Sequence, residues 1–221
     1  KSLSVGAIKN RLADLRLACQ DAGRGTVMKN TAADGVGKRP YVATHDRAIV
    51  VDDFSAIADQ HLQHSLALQR EFGLRREECL KLIPSLADKG DVLWLKGSWT
   101  KGNVERVVPI VTPSQRRALE RAKAFVGEGK SLIPEHATYI EQRHRYQHET
   151  RKIGLTKLHG LRHAYAQRRY KMLTGWEAPI KGGKSRHLLT EKERAIDRKA
   201  RYTISRELGH SRISITRVYL G

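Results

Sequence analysis

Residues 207–221 read ELGHSRISITRVYLG, and this stretch places His210 nine residues before Tyr219. Basic residues surround the pair in the sequence: Arg206, Arg212 and Arg217. A tyrosine in this setting has two interpretations. It is either a nucleophile beside a histidine and arginines, or the last apolar residue of a terminal helix packed on the core. The rest of the sequence has to decide between them.

The composition of the chain indicates a folded protein with a polyanionic partner. Lys and Arg number 42 against 23 Asp and Glu, which gives a net charge of +19, while 39% of the residues are apolar. This balance favours nucleic acid as the partner. The sequence contains no long apolar run, signal peptide or lipidation motif, so we expect a cytoplasmic, nucleoid-associated protein. Cys19 and Cys79 are too few for a disulfide framework and are predicted to be reduced core thiols.

The N-terminal part of the chain is predicted to form one helix and a linker. Ser4 is the expected N-cap, and apolar side chains follow at helical spacing: Ile8, Leu12, Leu15 and Cys19. A single amphipathic helix cannot bury its own apolar face, so we interpret it as the remainder of a removed N-terminal domain. Residues 23–40 are rich in Gly and small polar residues and read as a linker. A compact domain is expected from about Tyr41.

Patterns beyond residue 41 predict a mainly α (α+β) fold with one small antiparallel sheet. The strands are DVLWL at residues 91–95 and ERVVPI at residues 105–110. The first helix carries a face of Phe54, Ile57, Ala58, Leu62 and Leu66, and ends at Gly73; a short second helix is closed by Pro84. Further helices begin at a capping box of Thr112 and Gln115, near residues 135–151 and 161–172, and at a box of Thr190 and Glu193.

Three more segments contain polar residues that could take part in catalysis. Arg75 begins a helix in GLRREE, with Glu78 three residues later, and Lys101 lies between the strands in TKGNVERVVPI. Alone, each would more often be a solvated surface charge. In TKLHGLRHAYAQRRY, His159 and Arg162 are three residues apart and share one helical face.

Metal binding and plain phosphate contact are the alternatives for this last segment. His159 and His163 are four residues apart, as zinc ligands on a helix can be. Gly160, however, stands where the zincin pattern requires its glutamate, and the sequence offers no cluster of further ligands. We therefore expect no metal and no cofactor. A basic helix that touches phosphate without chemistry is the other interpretation.

Together these segments resemble the tyrosine recombinases, the phage integrase and Xer family, over about residues 41–221. The resemblance lies in the order and spacing of a GLR turn, a KGN.ER..P hairpin, an H.LRH helix, and LGH nine residues before a tyrosine. It implies a helical catalytic domain with a small sheet. Residues 1–40 would then be the last helix of a truncated core-binding-like domain plus a linker. The catalytic residues it implies are Arg75, Lys101, His159, Arg162, His210 and the nucleophile Tyr219, supported by Glu78 and His163.

This resemblance implies cleavage and rejoining of double-stranded DNA at specific recombination sites, for integration or excision of a mobile element. Arg75 and Arg162 would neutralise the phosphate oxygens, His159 would act as base, Lys101 as acid, and His210 would hold the phosphate. The product is a 3′-phosphotyrosyl link, formed without metal or ATP. We expect a homotetramer on paired sites, and a monomer or weak oligomer when free. Tyr219 is expected on a mobile terminal helix.

The sequence departs from the family pattern between His159 and His210, which are 51 residues apart. We interpret residues 172–206 as containing an inserted basic loop, made flexible by its glycines. Either it lies on the DNA backbone or reaches a neighbouring protomer, or it is a solvated basic loop without a role. The residues predicted to bind DNA are Lys181, Lys184, Arg186, Arg212 and Arg217. A type IB topoisomerase-like enzyme and a non-catalytic DNA-binding module are the alternative functions.

Overall fold

The computed structural model describes residues 3–25, 35–37 and 42–221. The chain divides into two compact units, Lys1–Val42 and Ala43–Gly221. Most of the predicted linker lies outside the described residues. Among the described residues, no helix combines the length and apolar composition needed to cross a bilayer.

The first unit contains helix α1, Val5–Asp21. Its predicted N-cap is confirmed, because the Ser4 hydroxyl accepts a hydrogen bond from the Ala7 amide at 3.2 Å. No residue of α1 is buried. The prediction of a core thiol is therefore wrong for Cys19, which is only half-buried, and right for Cys79, which is fully buried. That α1 is the remainder of a further domain stays a prediction.

The second unit confirms the mainly α fold with a small antiparallel sheet. Its helices are α2 Gln60–Phe72, α3 Arg76–Lys81, α4 Pro84–Ala87, α5 Pro113–Val126, α6 Tyr139–Lys152, α7 Gly160–Thr174, α8 Glu191–Glu207 and α9 Arg217–Leu220. Its strands are β1 Val92–Leu95 and β2 Arg106–Pro109, paired antiparallel from Val92 opposite Pro109 to Leu95 opposite Arg106. The predicted capping boxes of α5 and α8 are both present.

Two predicted helix boundaries are wrong. Helix α2 begins at Gln60 rather than near Phe54, because the Asp59 carboxylate accepts the Leu62 amide at 3.1 Å and fixes the start there. Phe54 and Ile57 are buried all the same, in a turn before the helix. Ala58 is exposed. Pro84 does not close α3, which ends at Lys81; it occupies the first turn of α4.

Helices α2 and α7 form the centre of the core. Helix α2 packs against α3, α5 and α7, and α7 packs against α8 and α9. The large apolar side chains of α2 are fully buried: Leu62, Leu66, Leu68 and Phe72. Burial of side chains of this size stabilises the fold by about 1.5–3 kcal/mol each. Strand β2 contacts α8, so the hairpin also rests on the helical core.

The segment between α7 and α8 contains a pair of short 3-10 turns, Pro179–Lys181 and Arg186–Leu188, rather than a featureless loop. From the sequence alone, the glycines of this segment predict flexibility. In the structure, Gly183 is needed because there is no space for a side chain: a Cβ there would lie 1.8 Å from the carbonyl oxygen of Glu177. Ala178 and Leu189 of this segment are buried.

Gly73, which ends α2, combines a left-handed backbone with close packing. Its φ is +62°, and a Cβ would lie 2.5 Å from the Tyr165 ring. Gly154 has a similar φ of +73° with nothing within 4 Å, so it is a matched control. Gly154→Ala should lower the free energy of unfolding by about 1 kcal/mol, the cost of the left-handed conformation. Gly73→Ala should cost about 1–3 kcal/mol more through overpacking. Urea unfolding measures both, and equal losses would contradict this account.

Candidate active site

The start of α7 is held by a close backbone approach. The Ile49 amide donates to the Gly160 carbonyl at 3.1 Å. A Cβ on Gly160 would lie 2.4 Å from the Ile49 side chain and 2.5 Å from the Arg47 carbonyl oxygen. Glycine is thus required between His159 and the rest of the helix. This packing fixes the direction in which the first turn of α7 presents its side chains.

Arg162 on that first turn is fully buried and connects four parts of the chain. Its guanidinium donates to the Gly73 carbonyl at 2.6 Å and to the Leu208 carbonyl, and its Nε lies 3.4 Å from the Tyr219 hydroxyl. A nitrogen of the same group lies 3.4 Å from His210 Nε2. Burial lowers the pKa of Arg162 to about 10, so the group is a cation at neutral pH.

Tyr219 lies on α9, is 4% exposed, and has its hydroxyl oxygen 3.4 Å from Arg162 Nε. His210 Nε2 is 3.1 Å from the hydroxyl oxygen. The backbone of α9 is held as well: Gln167 donates to the Tyr219 carbonyl at 3.2 Å, and Ala43 donates to the Arg217 carbonyl at 3.1 Å. The ring of Tyr219 thus belongs to the core, as one interpretation predicts, while its hydroxyl meets polar groups. That Tyr219 is a nucleophile stays a prediction.

Three histidines surround the Tyr219 ring, with centroid separations of 4.7 Å for His163, 5.8 Å for His210 and 6.3 Å for His159. Burial, followed by the charge of Arg162, lowers the pKa of His210 to about 4. Burial and the neighbouring His159 and Arg47 lower the pKa of His163 to about 4. The pKa of His159 is also lowered, by desolvation and by Arg162. His210 is therefore neutral at pH 7.

Glu78 is the buried carboxylate of the site. It accepts from Arg75 at 2.7 Å and, through both oxygens, from Arg106 at 2.9 and 2.7 Å. Burial alone would raise the pKa of Glu78, but the hydrogen bonds and charge of Arg106, with the charge of Arg162, hold that pKa at about 2. Arg75 also lies 3.3 Å from the Leu208 carbonyl oxygen that Arg162 contacts. One carboxylate thus orients two arginines at the pocket.

Arg106 is a residue of the site that the sequence-based prediction misses. Its Nε donates to the Glu207 carbonyl at 2.9 Å, so it joins β2 to the end of α8 beside the pocket. The sequence feature that could have identified Arg106 is the ER pair of the KGN.ER..P hairpin. The sequence-based prediction selects Lys101 as the basic residue of that hairpin instead. Lys101 itself is exposed in the hairpin loop, and no described contact joins it to the other five predicted catalytic residues.

The residues predicted to bind DNA are exposed: Lys181, Lys184, Arg186, Arg212 and Arg217. Lys184 forms an ion pair with Glu193 at 2.7 Å. His159 and His163, the candidate zinc pair, have ring centroids 5.6 Å apart. Within the described ranges no group of three or more His, Cys, Asp or Glu side chains is arranged to hold a metal ion.

The lowered histidine pKa values predict an acid-labile fold. His163 and His210 gain protons below about pH 6.5 in the unfolded chain, but only near pH 4 in the folded one. The unfolded state binds more protons in this window, so the free energy of unfolding should decline as the pH falls from about 6.5 to about 4. His163→Gln should flatten that decline in urea titrations at several pH values. An unchanged slope would contradict the assignment. The stability that Glu78 contributes is lost at lower pH, as the pH falls from its ordinary pKa of about 4.5 through its folded pKa of about 2.

Comparison with known proteins identifies the family. A family model described as "Integrase" matches residues 38–168, more than half of the chain, including Arg75, Lys101, His159 and Arg162. The structure of the Tn1549 transposon integrase (residues 82–397), in complex with circular intermediate DNA, matches with 14% identity and a TM-score of 0.48. It aligns over 100% of this chain and 76% of that chain, a similarity too low to carry a functional conclusion. No curated protein sequence matches. The family match nevertheless shows that the chain belongs to the integrase family, the tyrosine recombinases that its sequence segments resemble.

Proposed function

We propose that this integrase cleaves and rejoins double-stranded DNA through a covalent 3′-phosphotyrosyl intermediate in which Tyr219 is the nucleophile. The observation that carries the proposal is the position of the Tyr219 hydroxyl, 3.1 Å from His210 and 3.4 Å from the buried cation of Arg162. Any buried tyrosine hydroxyl needs a hydrogen-bond partner. Here the partners are a neutral histidine and a cation, the kinds of group that activate a tyrosine as a nucleophile. The net charge of +19 supports DNA as the substrate.

In the cleavage step, the Tyr219 oxygen attacks the phosphorus and its proton passes to His210. The bond between phosphorus and the 5′-oxygen breaks, its electron pair stays on that oxygen, and Lys101 supplies the proton that completes the 5′-hydroxyl. The phosphoryl group is then joined to Tyr219 and the 3′-oxygen. Attack by a 5′-hydroxyl from another strand reverses each transfer, so strand exchange needs no external energy source.

The two predicted arginines supply the charge that attack on an anionic phosphodiester requires. Planar guanidinium groups suit the non-bridging oxygens of phosphate. Arg75 keeps an exposed edge, while the bond to Glu78 holds it toward the pocket. Arg162 lies deeper and acts mainly as a fixed cation beside the attacking oxygen. Arg106 orients Glu78 from the opposite side, which supports a positioning role for it.

The geometry favours a change in the roles of the two histidines. The family resemblance implies His159 as base and His210 as a phosphate ligand. His210, neutral and hydrogen-bonded to the Tyr219 hydroxyl, is better placed to receive its proton. No hydrogen bond joins His159 to that hydroxyl among the described contacts, and its exposed ring at the start of α7 suits a phosphate oxygen. His163, packed on the Tyr219 ring, supports the ring's orientation.

The wider assembly follows from the same proposal. The exposed basic residues predicted to bind DNA would lie on the duplex backbone, and α1 would belong to a second, core-binding-like domain. Recombination on paired sites would require a tetramer. An enzyme of this kind would act at the nucleoid, without metal or cofactor, in integration or excision of a mobile element.

A nicked suicide duplex, which loses the released strand and traps the intermediate, tests the proposal. Wild type should form a covalent protein–DNA adduct, in EDTA as well as in Mg²⁺. Tyr219→Phe should bind the duplex with unchanged affinity and form none. Arg75→Ala and Arg162→Ala should each slow adduct formation at least about 100-fold, because each removes a stabilising contact to the transition state. Adduct formation by Tyr219→Phe would refute the nucleophile, and a strict metal requirement would indicate a nuclease.

Lys101 has its own test, since its role rests on sequence. A substrate whose 5′-bridging oxygen is replaced by sulfur releases a thiol, whose pKa of about 8.5 makes it a good leaving group without protonation. Lys101→Met should therefore cleave the oxygen substrate at least about 100-fold slower than wild type, and the sulfur substrate at nearly the wild-type rate. Arg75→Ala is the matched control and should be slow on both. Equal loss on both substrates by Lys101→Met would exclude it as the acid.

A further inference from the structure

A chain of polar contacts, buried at its centre, runs from the segment after α7 to the residue that follows α9. Trp176 Nε1 donates to the Tyr170 hydroxyl at 3.2 Å, and that hydroxyl donates to an Asp197 oxygen at 2.7 Å. Arg201 Nε donates to the same oxygen at 2.8 Å, and its Nη1 donates to the Gly221 carbonyl at 3.1 Å. The polar chain therefore ends two residues beyond Tyr219.

These groups are removed from water. Tyr170 is fully buried, Asp197 is 5% exposed and Arg201 is 9% exposed. Burial and the bond to Asp197 raise the pKa of Tyr170 to about 12, so its hydroxyl is a donor at neutral pH. A buried ion pair contributes little net stability compared with apolar residues of similar volume, but it fixes geometry. The network is thus better suited to positioning a neighbouring element than to stabilising the fold.

The turn Pro179–Lys181 packs directly on α9 and on Gly221 after it. A Cβ on Gly221 would lie 3.1 Å from the Ile180 amide nitrogen and 3.3 Å from the Pro179 side chain. Trp176 and Ile180 pack in turn against the main core. The first half of the segment between α7 and α8 is therefore engaged with the protein itself.

Helix α9 has only four residues and cannot hold its own conformation, because a single helical turn is unstable in isolation. Contacts on its other side come from Ala43 and from Gln167, which also donates to Asp46 at 2.7 Å. The position of the Tyr219 hydroxyl is consequently set by the residues that contact α9 or Gly221: the Pro179–Lys181 turn and Arg201 in one group, and Ala43 and Gln167 in the other.

We propose that residues 176–181 and the Trp176–Tyr170–Asp197–Arg201 contacts are a positioning device that holds α9 so that Tyr219 stays in the pocket of its own chain. This inference rests on the proposed function, in which Tyr219 is the nucleophile. It gives the extra residues between His159 and His210 a role within the protein, and this role does not depend on contact with DNA. It also makes Arg201 a positioning residue, since it acts through the α9 backbone and not on the phosphate.

Two variants of Arg201 test the device on the nicked duplex under single-turnover, enzyme-saturating conditions. Arg201→Met, similar in length but unable to donate, should slow adduct formation by roughly 10- to 100-fold, since small misplacement of a reacting group has effects of this size. Affinity for the duplex should stay within about 2-fold. Arg201→Lys keeps the ion pair with Asp197 but loses the second donor. Its rate of adduct formation should lie between those of wild type and Arg201→Met. Amide hydrogen exchange of residues 217–221, measured without DNA, should accelerate in the same order.

Arg116→Met is the matched control. Arg116 likewise joins a carboxylate, Asp88, to a backbone carbonyl, that of Gly90, but it does so on α5 and the start of the hairpin. It should leave the adduct rate and the exchange of α9 unchanged. Wild-type rate and exchange in Arg201→Met, or equal losses in Arg116→Met, would overturn the inference. Absence of adduct in wild type, with the exchange pattern as expected, would instead overturn the proposed function alone.

Discussion

The burial of the Arg162 charge is the constraint on which the rest of the site depends. A guanidinium removed from water must find acceptors inside the protein, or its burial would unfold the chain. Arg162 finds them in the Gly73 and Leu208 carbonyls and approaches the Tyr219 hydroxyl. The ends of α2 and α8 and the whole of α9 thus converge on one side chain of α7. The same contacts that satisfy this charge assemble the pocket, so the site is formed as a condition of folding.

The electrostatic balance of the pocket follows from this arrangement. Arg75, Arg106 and Arg162 face a single carboxylate, Glu78, which leaves an excess of positive charge next to Tyr219. Burial, and then the charges of Arg162, Arg75 and Arg106, lower the pKa of His210, so its ring stays neutral at pH 7. An anionic phosphodiester would complete the balance. Under the proposed function, such a pocket would be preorganised to stabilise the negative charge that develops in the transition state.

Local sequence signals predict the features that local interactions determine. The capping boxes of Thr112 and Thr190 and the two strands are predicted correctly, because a cap or a strand depends on neighbours in the sequence. The start of α2 is not, because Phe54 and Ile57 fit the apolar pattern while the Asp59 cap decides the boundary. The order of polar segments points to the right family. Other contacts join residues that are distant in sequence, as in the Arg106–Glu78 ion pair and the packing of the Pro179–Lys181 turn on α9. Hydrophobic periodicity carries no information about such contacts.

The Arg162 contacts also affect when the site can form during synthesis and folding of the chain. Its carbonyl partner Gly73 precedes it by 89 residues, and Tyr219 follows it by 57. Ala43, whose amide meets the Arg217 carbonyl, comes from the other end of the unit. Such contacts between distant segments form late, since each closes a long loop. On the ribosome, a chain released or stalled before α8 and α9 would have neither the Leu208 carbonyl nor the Tyr219 hydroxyl. Under the proposed function, DNA cleavage would therefore require that synthesis has passed α9, because an earlier chain lacks both groups.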